Sequence, residues 1–242
     1  GNALAQKVAD LLGGQAVITT ASDVLGHTAL DLWCRDMGLT VTDKQGLTRV
    51  MTKLVNTGSV TLCSEYRLPP LPPDIILSRT PDAADLRVSC RTDQDGGAVL
   101  LYPKVLVAGI GCNRNTPAEE ISDALDHACR AHELARESIR NLASIDLKRD
   151  EPGLLAFAHA HNLSLEFYSP DQLNQVEGVA GSAVVQRATG AKAVAEPAAI
   201  LSSGGGRLLV QKVKFPNVTV AIAEILQSYA EPWKSAEQVP IL

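Results

Sequence analysis

The stretch Lys104-Val-Leu-Val-Ala-Gly-Ile-Gly-Cys-Asn-Arg-Asn-Thr116, followed by Pro117-Ala-Glu-Glu120, decides how this chain is read. Val105 to Ala108 is an uninterrupted apolar run, the composition of a strand buried on both faces, as in a parallel sheet covered by helices. Gly109 and Gly111 are expected to let the backbone turn sharply at its end. Thr116, Pro117 and Glu119 spell a helix start, with Thr116 as N-cap, Pro117 at the first helical position and Glu119 closing a capping box. Strand, glycine turn and capped helix together aim free backbone N–H groups at one point, which attracts an anion. Arg114 adds a guanidinium there. The pattern falls short of a dinucleotide fingerprint, because Asn113 and Asn115 stand where a third glycine would be sought.

Working outward, the order β, α, β, α repeats on both sides of this element. Two α/β domains with mainly parallel sheets flanked by helices are therefore expected, over 1–103 and 104–228, with a tail over 229–242. On the N-terminal side, Leu4 to Leu12 reads as an amphipathic helix stopped by Gly13-Gly14, and Ala16 to Thr20 as a buried strand. The polar loop at that strand's end, with Ser22, Asp23, Gly26 and His27, is a second candidate site wall. Helices are expected over Thr28–Met37 and Lys44–Val55, and a strand over Ser59–Cys63. The prolines of Leu68–Pro73 require an extended connector. Strands follow at Ile75–Leu77, Leu86–Cys90 and Ala98–Tyr102, the last two separated by the Asp93–Gly97 turn.

On the C-terminal side, Ile121, Ala124, Leu125, Ala128, Ala135 and Ile139 continue at helical spacing. Next come a strand over Leu142–Ile145, a helix over Pro152–His161, a strand over Leu165–Tyr168 and a short helix opened by Ser169. Small helices over Gly181–Ala188 and Val194–Leu201 precede two strands, Leu208–Val213 and Val218–Ala223, expected to pair.

The 242 residues are 45% hydrophobic and 20% charged, which fits a folded protein with a real core. A net charge of -5 without a basic block argues against a nucleic-acid surface, so an anionic ligand must be met by a few placed cations. Five cysteines with no C-x-x-C fit free thiols in a reducing cytosol and offer no zinc motif. No apolar run approaches the ~20 residues of a membrane span, and no signal peptide is visible. His127 and His132, five apart, do not share a helix face as metal ligands four apart would. The chain opens at Gly1 within a helical pattern, which reads as a fragment.

These residues carry a family resemblance. Gly109-Ile-Gly111-Cys112-Asn-Arg114-Asn-Thr116 resembles the C-terminal signature of the cobalamin-biosynthesis protein G family, the cobalt-precorrin-5A hydrolases. Ser144-Ile-Asp-Leu-Lys148-Arg-Asp-Glu151-Pro-Gly153-Leu154 resembles a second block. Thr189-Gly190, Val194-Ala-Glu196-Pro-Ala-Ala199, Lys212 and Val218–Ile222 resemble a third. Gly1–Ala5 and Thr19-Thr20-Ala-Ser-Asp23-Val-Leu-Gly26 are similar to the N-terminal domain. Asn115 stands where the family often has glycine, and asparagine also tolerates a left-handed backbone.

The resemblance implies a cytoplasmic enzyme of anaerobic cobalamin synthesis. Water opens the ring-A δ-lactone of a cobalt macrocycle and the bridging carbon leaves as acetaldehyde. Cobalt then enters as part of the substrate, with no separate cofactor, and other corrin-pathway enzymes are possible partners. Such chemistry needs a base for water and donors for the developing oxyanion. Glu196 or Glu151 is the candidate base, with Lys148 beside it. Arg114, Lys148 and Lys212 are candidate clamps for substrate carboxylates, and Gly109, Gly111, Cys112, Thr116, Thr20 and Asp23 complete the expected wall of one cleft between the two halves. The alternative reading of each cation is a surface ion-pair partner, and of each glutamate a helix-capping carboxylate. Cys112 reads as a packing thiol or, if activated, a nucleophile. Two other functions stay open: a non-catalytic tetrapyrrole carrier, and a nucleotide-binding domain resting on Gly109-x-Gly111 alone, without the lysine of a phosphate loop.

Overall fold

The computed structural model describes residues 2–13, 26–92 and 97–225. The expected strand at Ala16–Thr20, the candidate site residues Thr20 and Asp23, and the tail over 229–242 lie outside the described residues. The chain divides into two compact units. The first comprises Gly1–Ser64, Pro69–Val88 and Asp95–Leu101, and the second Glu65–Leu68, Ser89–Gln94 and Tyr102–Leu242.

The first unit contains α1 (Asn2–Leu12), α2 (Leu30–Asp36) and α3 (Lys44–Thr57), with strands β1 (Thr40–Val41), β2 (Val60–Ser64), β3 (Ile75–Leu77), β4 (Leu86–Val88) and β5 (Val99–Tyr102), ordered β1-β5-β4-β2-β3. Asp43 caps α3 by accepting from the Gly46 N–H, and Gly58 ends it in the left-handed region. The turn signal at Asp93–Gly97 suits a hairpin, yet β4 and β5 run parallel. The reason lies in the connection: Arg91 bridges to Leu134, and the Ala135 N–H donates to the Cys90 carbonyl. These residues belong to the second unit, so the chain leaves the first sheet before returning to it.

The second unit is built on β6 (Leu106–Cys112), α4 (Ala118–Ala131), β7 (Ile139–Ile145), α5 (Pro152–Ala160), β8 (Ser164–Tyr168), α6 (Pro170–Asn174), α7 (Ala183–Thr189), α8 (Ala195–Ser202), β9 (Leu208–Lys214) and β10 (Val218–Glu224). Its sheet has the order β8-β7-β6-β10-β9. The β6-β7 and β7-β8 pairs are parallel, as the helical crossovers α4 and α5 require, whereas β10 pairs antiparallel with both β6 and β9. β6 is central, and Leu106 to Ile110 are all buried, as its apolar run predicts.

Gly109 and Gly111 are not a turn; both lie inside β6. A Cβ at Gly109 would stand 1.9 Å from the Ala195 carbonyl oxygen, so this glycine lets α8 press its first turn onto the strand. Val107, Ala143, Ile145, Leu173, Val194 and Ala198 form the apolar layer beneath α8. The helical spacing expected through Ala135 and Ile139 stops earlier, because α4 ends at Ala131 and Ile139 opens β7.

Candidate functional site

Beyond the carboxyl ends of β6 and β7 lies a cavity of ≈ 540 Å³, lined entirely by residues of the second unit. This is where ligands sit in open α/β sheets, next to the strand at which the order reverses. Its floor is Gly111, Cys112 and the start of α8; the far wall is α7, with Val184, Val185 and Ala188; the rim is the β9–β10 turn from Lys214 to Asn217. Of the residues expected from the sequence, Gly111, Cys112, Arg114, Lys148, Glu196 and Lys212 line this one hollow.

Gly109, Thr116 and Glu151 do not line it. Gly109 is spent on packing α8. Thr116 is not the helix cap: Pro117 takes that position, and the Thr116 hydroxyl donates to the Asn113 carbonyl at 2.9 Å. The anion expected at the bend is the chain's own Glu151. Its Oε1 accepts the Asn115 N–H at 2.6 Å and its Oε2 accepts from Lys148 Nζ at 2.9 Å. Asn115 adopts φ 61°, the left-handed conformation foreseen for it. A Cβ at Gly153 would stand 1.9 Å from the Thr116 carbonyl oxygen, so glycine is what allows α5 to close on the bend.

Arg114 grips the same region from outside. Its Nη1 donates to Asp150 at 2.6 Å and its Nη2 to the Leu147 carbonyl at 3.0 Å, and this bond holds the Asp150 carboxyl below the usual carboxylate range. Burial pushes the Cys112 thiol up, with Lys148 and Arg114 opposing and Glu151 adding, so the thiol stays protonated at neutral pH and fits the packing role.

Glu196, in the first turn of α8, is 7% exposed. Its Oε1 accepts from the Lys212 backbone N–H at 3.2 Å, while its Oε2 is buried with no hydrogen-bond donor. Lys212 Nζ lies 3.6 Å from that oxygen, beyond hydrogen-bond distance, and donates one of its three N–H groups to the Ala180 carbonyl at 2.6 Å. The ion pair therefore neutralises Glu196 without satisfying it. An unpaired carboxylate oxygen on a residue that lines a cavity is a candidate acceptor for a donor bound there.

Sequence reasoning missed the rim and the far wall. The Phe215 N–H donates to the Val218 carbonyl at 2.7 Å, closing a tight turn. The Lys214-Phe-Pro-Asn217 signal between two strands could have revealed it. Among the described residues no cluster of three or more His, Cys, Asp or Glu could hold a metal, and no helix is long and apolar enough to cross a membrane.

Comparison with known proteins places this architecture. A family model described as Cobalamin synthesis G C-terminus matches residues 106–223, from the first residue of β6 to the penultimate one of β10. The cobalt-precorrin-5A hydrolase of Priestia megaterium is 34% identical over 245 residues, an alignment covering 93% of this chain and 65% of that protein. That of Salmonella typhimurium is 30% identical over 237 residues, covering 91% of this chain and 67% of that one. Protein CobE of Sinorhizobium sp. is 36% identical over 121 residues, 49% of this chain and 79% of its own. The chain thus spans about two thirds of the length of the two hydrolases it matches. With residues 106–223 of its second unit matched by the family model and most of its length aligned to these relatives, the chain belongs to the cobalamin synthesis G family.

Proposed function

We propose that this chain carries the chemistry its two hydrolase relatives are named for, the hydrolysis of a cobalt-precorrin, with the cavity of the second unit as the reacting site. The observation that carries the reading is the donor-less Oε2 of Glu196, buried in the wall of a hollow that Arg114, Lys148 and Lys212 also line. In the lactone-opening reaction, Glu196 takes a proton from water as its oxygen adds to the lactone carbonyl. The acyl–oxygen bond breaks, leaving a carboxylate and a free hydroxyl on the bridging carbon. Removal of the hydroxyl proton then expels acetaldehyde, and the electron pair of the broken carbon–carbon bond passes into the conjugated ring, which supplies that sink together with its cobalt.

The cations have distinct tasks in this reading. Lys148, held by Glu151, steadies the developing oxyanion, whereas Lys212 and Arg114 meet the ring's peripheral carboxylates. Glu151 has both oxygens engaged, so it serves to position Lys148 and the bend rather than as the base. The test is incubation with the lactone-bearing cobalt macrocycle, following acetaldehyde. Release by the native chain and its loss in Glu196→Gln are expected; no release from the native chain rejects the reaction.

A second reading, a tetrapyrrole carrier, is favoured by one observation. An alignment over 49% of this chain covers 79% of Protein CobE, so about half of the chain corresponds to most of that shorter protein. A spectral shift of the bound macrocycle with no acetaldehyde would select it.

A further inference from the structure

Phe215 is the one aromatic side chain among the described residues lining the cavity, and it stands on the rim rather than in the floor. Four hydrogen bonds tie that rim down. The Phe215 N–H closes the turn onto Val218. The Asn113 backbone N–H donates to the Asn217 carbonyl at 2.9 Å, and Asn113 Nδ2 to Asn217 Oδ1 at 3.0 Å. Asn217 Nδ2 in turn donates to Glu120 Oε2 of α4 at 3.2 Å.

The ring itself is fixed as well. The His127 ring of α4 meets it edge to face, with centroids 5.4 Å apart and 81° between the planes. Phe215 is half-buried, although no other large apolar side chain of its own turn shelters it. A phenyl ring kept at the mouth of a polar-rimmed cavity by a dedicated aromatic neighbour is preorganised for a flat partner, because its orientation entropy is lost before binding. Lys212 and Lys214 lie on the strand leading into the turn and both line the cavity, so a flat partner resting on the ring would bring peripheral acids within reach of ammonium groups.

We propose that Phe215 is the ring-stacking residue of this cavity, and that the flat face it selects belongs to a conjugated macrocycle bearing carboxylates at its edge. The proposal rests on the tetrapyrrole reading above for the ligand class but not on hydrolysis. His127 acts through Phe215 as a positioning residue.

The test is titration of uroporphyrin III, a flat tetrapyrrole with eight carboxylates, into the native chain and into Phe215→Tyr, Phe215→Leu and Phe215→Ala, reading the shift of its Soret band. The tyrosine variant is expected to bind within about two-fold of the native chain. The leucine and alanine variants are expected to bind about ten-fold more weakly, with unchanged circular dichroism. Leucine keeps apolar bulk without a ring face, so a leucine variant binding as the native chain does would overturn stacking. A native chain that leaves the Soret band unmoved overturns the platform outright. A native chain that shifts the band but releases no acetaldehyde from the lactone substrate rejects hydrolysis alone and leaves the platform standing.

Discussion

Two lysine–glutamate pairs flank the same cavity, and they differ in one atom. Behind the β6–α4 bend, Glu151 is fully buried, with the Asn115 N–H on one oxygen and Lys148 Nζ on the other. At the start of α8, Glu196 is almost as buried, but only its Oε1 has a donor; the neighbouring ammonium of Lys212 is turned to a backbone carbonyl. The first pair resembles a staple. The second is an acceptor held ready. Residue types and burial are close to equal in both, whereas the lysine nitrogen stands 2.9 Å from Glu151 and 3.6 Å from Glu196, so satisfaction of hydrogen bonds is what separates a structural carboxylate from a candidate base.

Replacing each glutamate should pull the two pairs apart. Glu196→Gln is expected to lower acetaldehyde release by about 10²- to 10⁴-fold, the range for a lost general base. It should move unfolding by no more than about 1 kcal/mol, since the amide oxygen can still accept from the Lys212 N–H. Full turnover in that variant would erase the distinction. Glu151→Ala leaves the Lys148 ammonium and the Asn115 N–H without their acceptor. It should cost about 3–5 kcal/mol in a urea unfolding curve. A loss confined to turnover, with the curve unmoved, would make Glu151 the reactive member instead.

Gly109→Ala tests the scaffold beneath Glu196. The added methyl meets the Ala195 carbonyl, so α8 must shift, at about 1–3 kcal/mol of stability, and the KM for the macrocycle should rise with it. The smallest effect belongs to Cys112, which lines the cavity and feels the charges of Lys148 and Glu151. Cys112→Ser should keep turnover within about two-fold, as a packing thiol requires. Because burial raises the thiol's pKa, the thiolate fraction at any pH near neutrality is below that of a free cysteine. Alkylation by iodoacetamide should therefore be slow at pH 7.5 and accelerate only as pH climbs past the free-thiol range. Fast alkylation at pH 7.5 would return Cys112 to the list of nucleophiles.

Much of the second sheet was legible in the chain. The run from Val105 to Ala108 could only be buried on both sides, and Asn115 takes the left-handed backbone its side chain tolerates. Gly109 reads as a turn in the sequence because a glycine at a strand end signals a turn and a close helix contact with the same letter; the partner, the Ala195 carbonyl, is 86 positions away in sequence. Thr116 has the composition of a cap, but its hydroxyl goes to Asn113 and the nearby Asn115 N–H goes to Glu151. Local rules weigh only local competitors. The β4–β5 pairing was obscured similarly, since a turn composition says nothing of Arg91 bridging to Leu134.

The sequence by itself determined the α/β alternation, the buried central strand and the set of charged residues from which a site could be made, because these depend on periodicity and composition along the chain. Only the tertiary structure decided which of those residues share a hollow, that Glu151 is consumed by its neighbours while one oxygen of Glu196 is not, and that Phe215 stands at the rim. Hydrogen-bond satisfaction is a sum over groups brought together by folding: Glu196 and the Ala180 carbonyl, 16 and 32 positions from Lys212, meet its ammonium only once folding has placed them side by side.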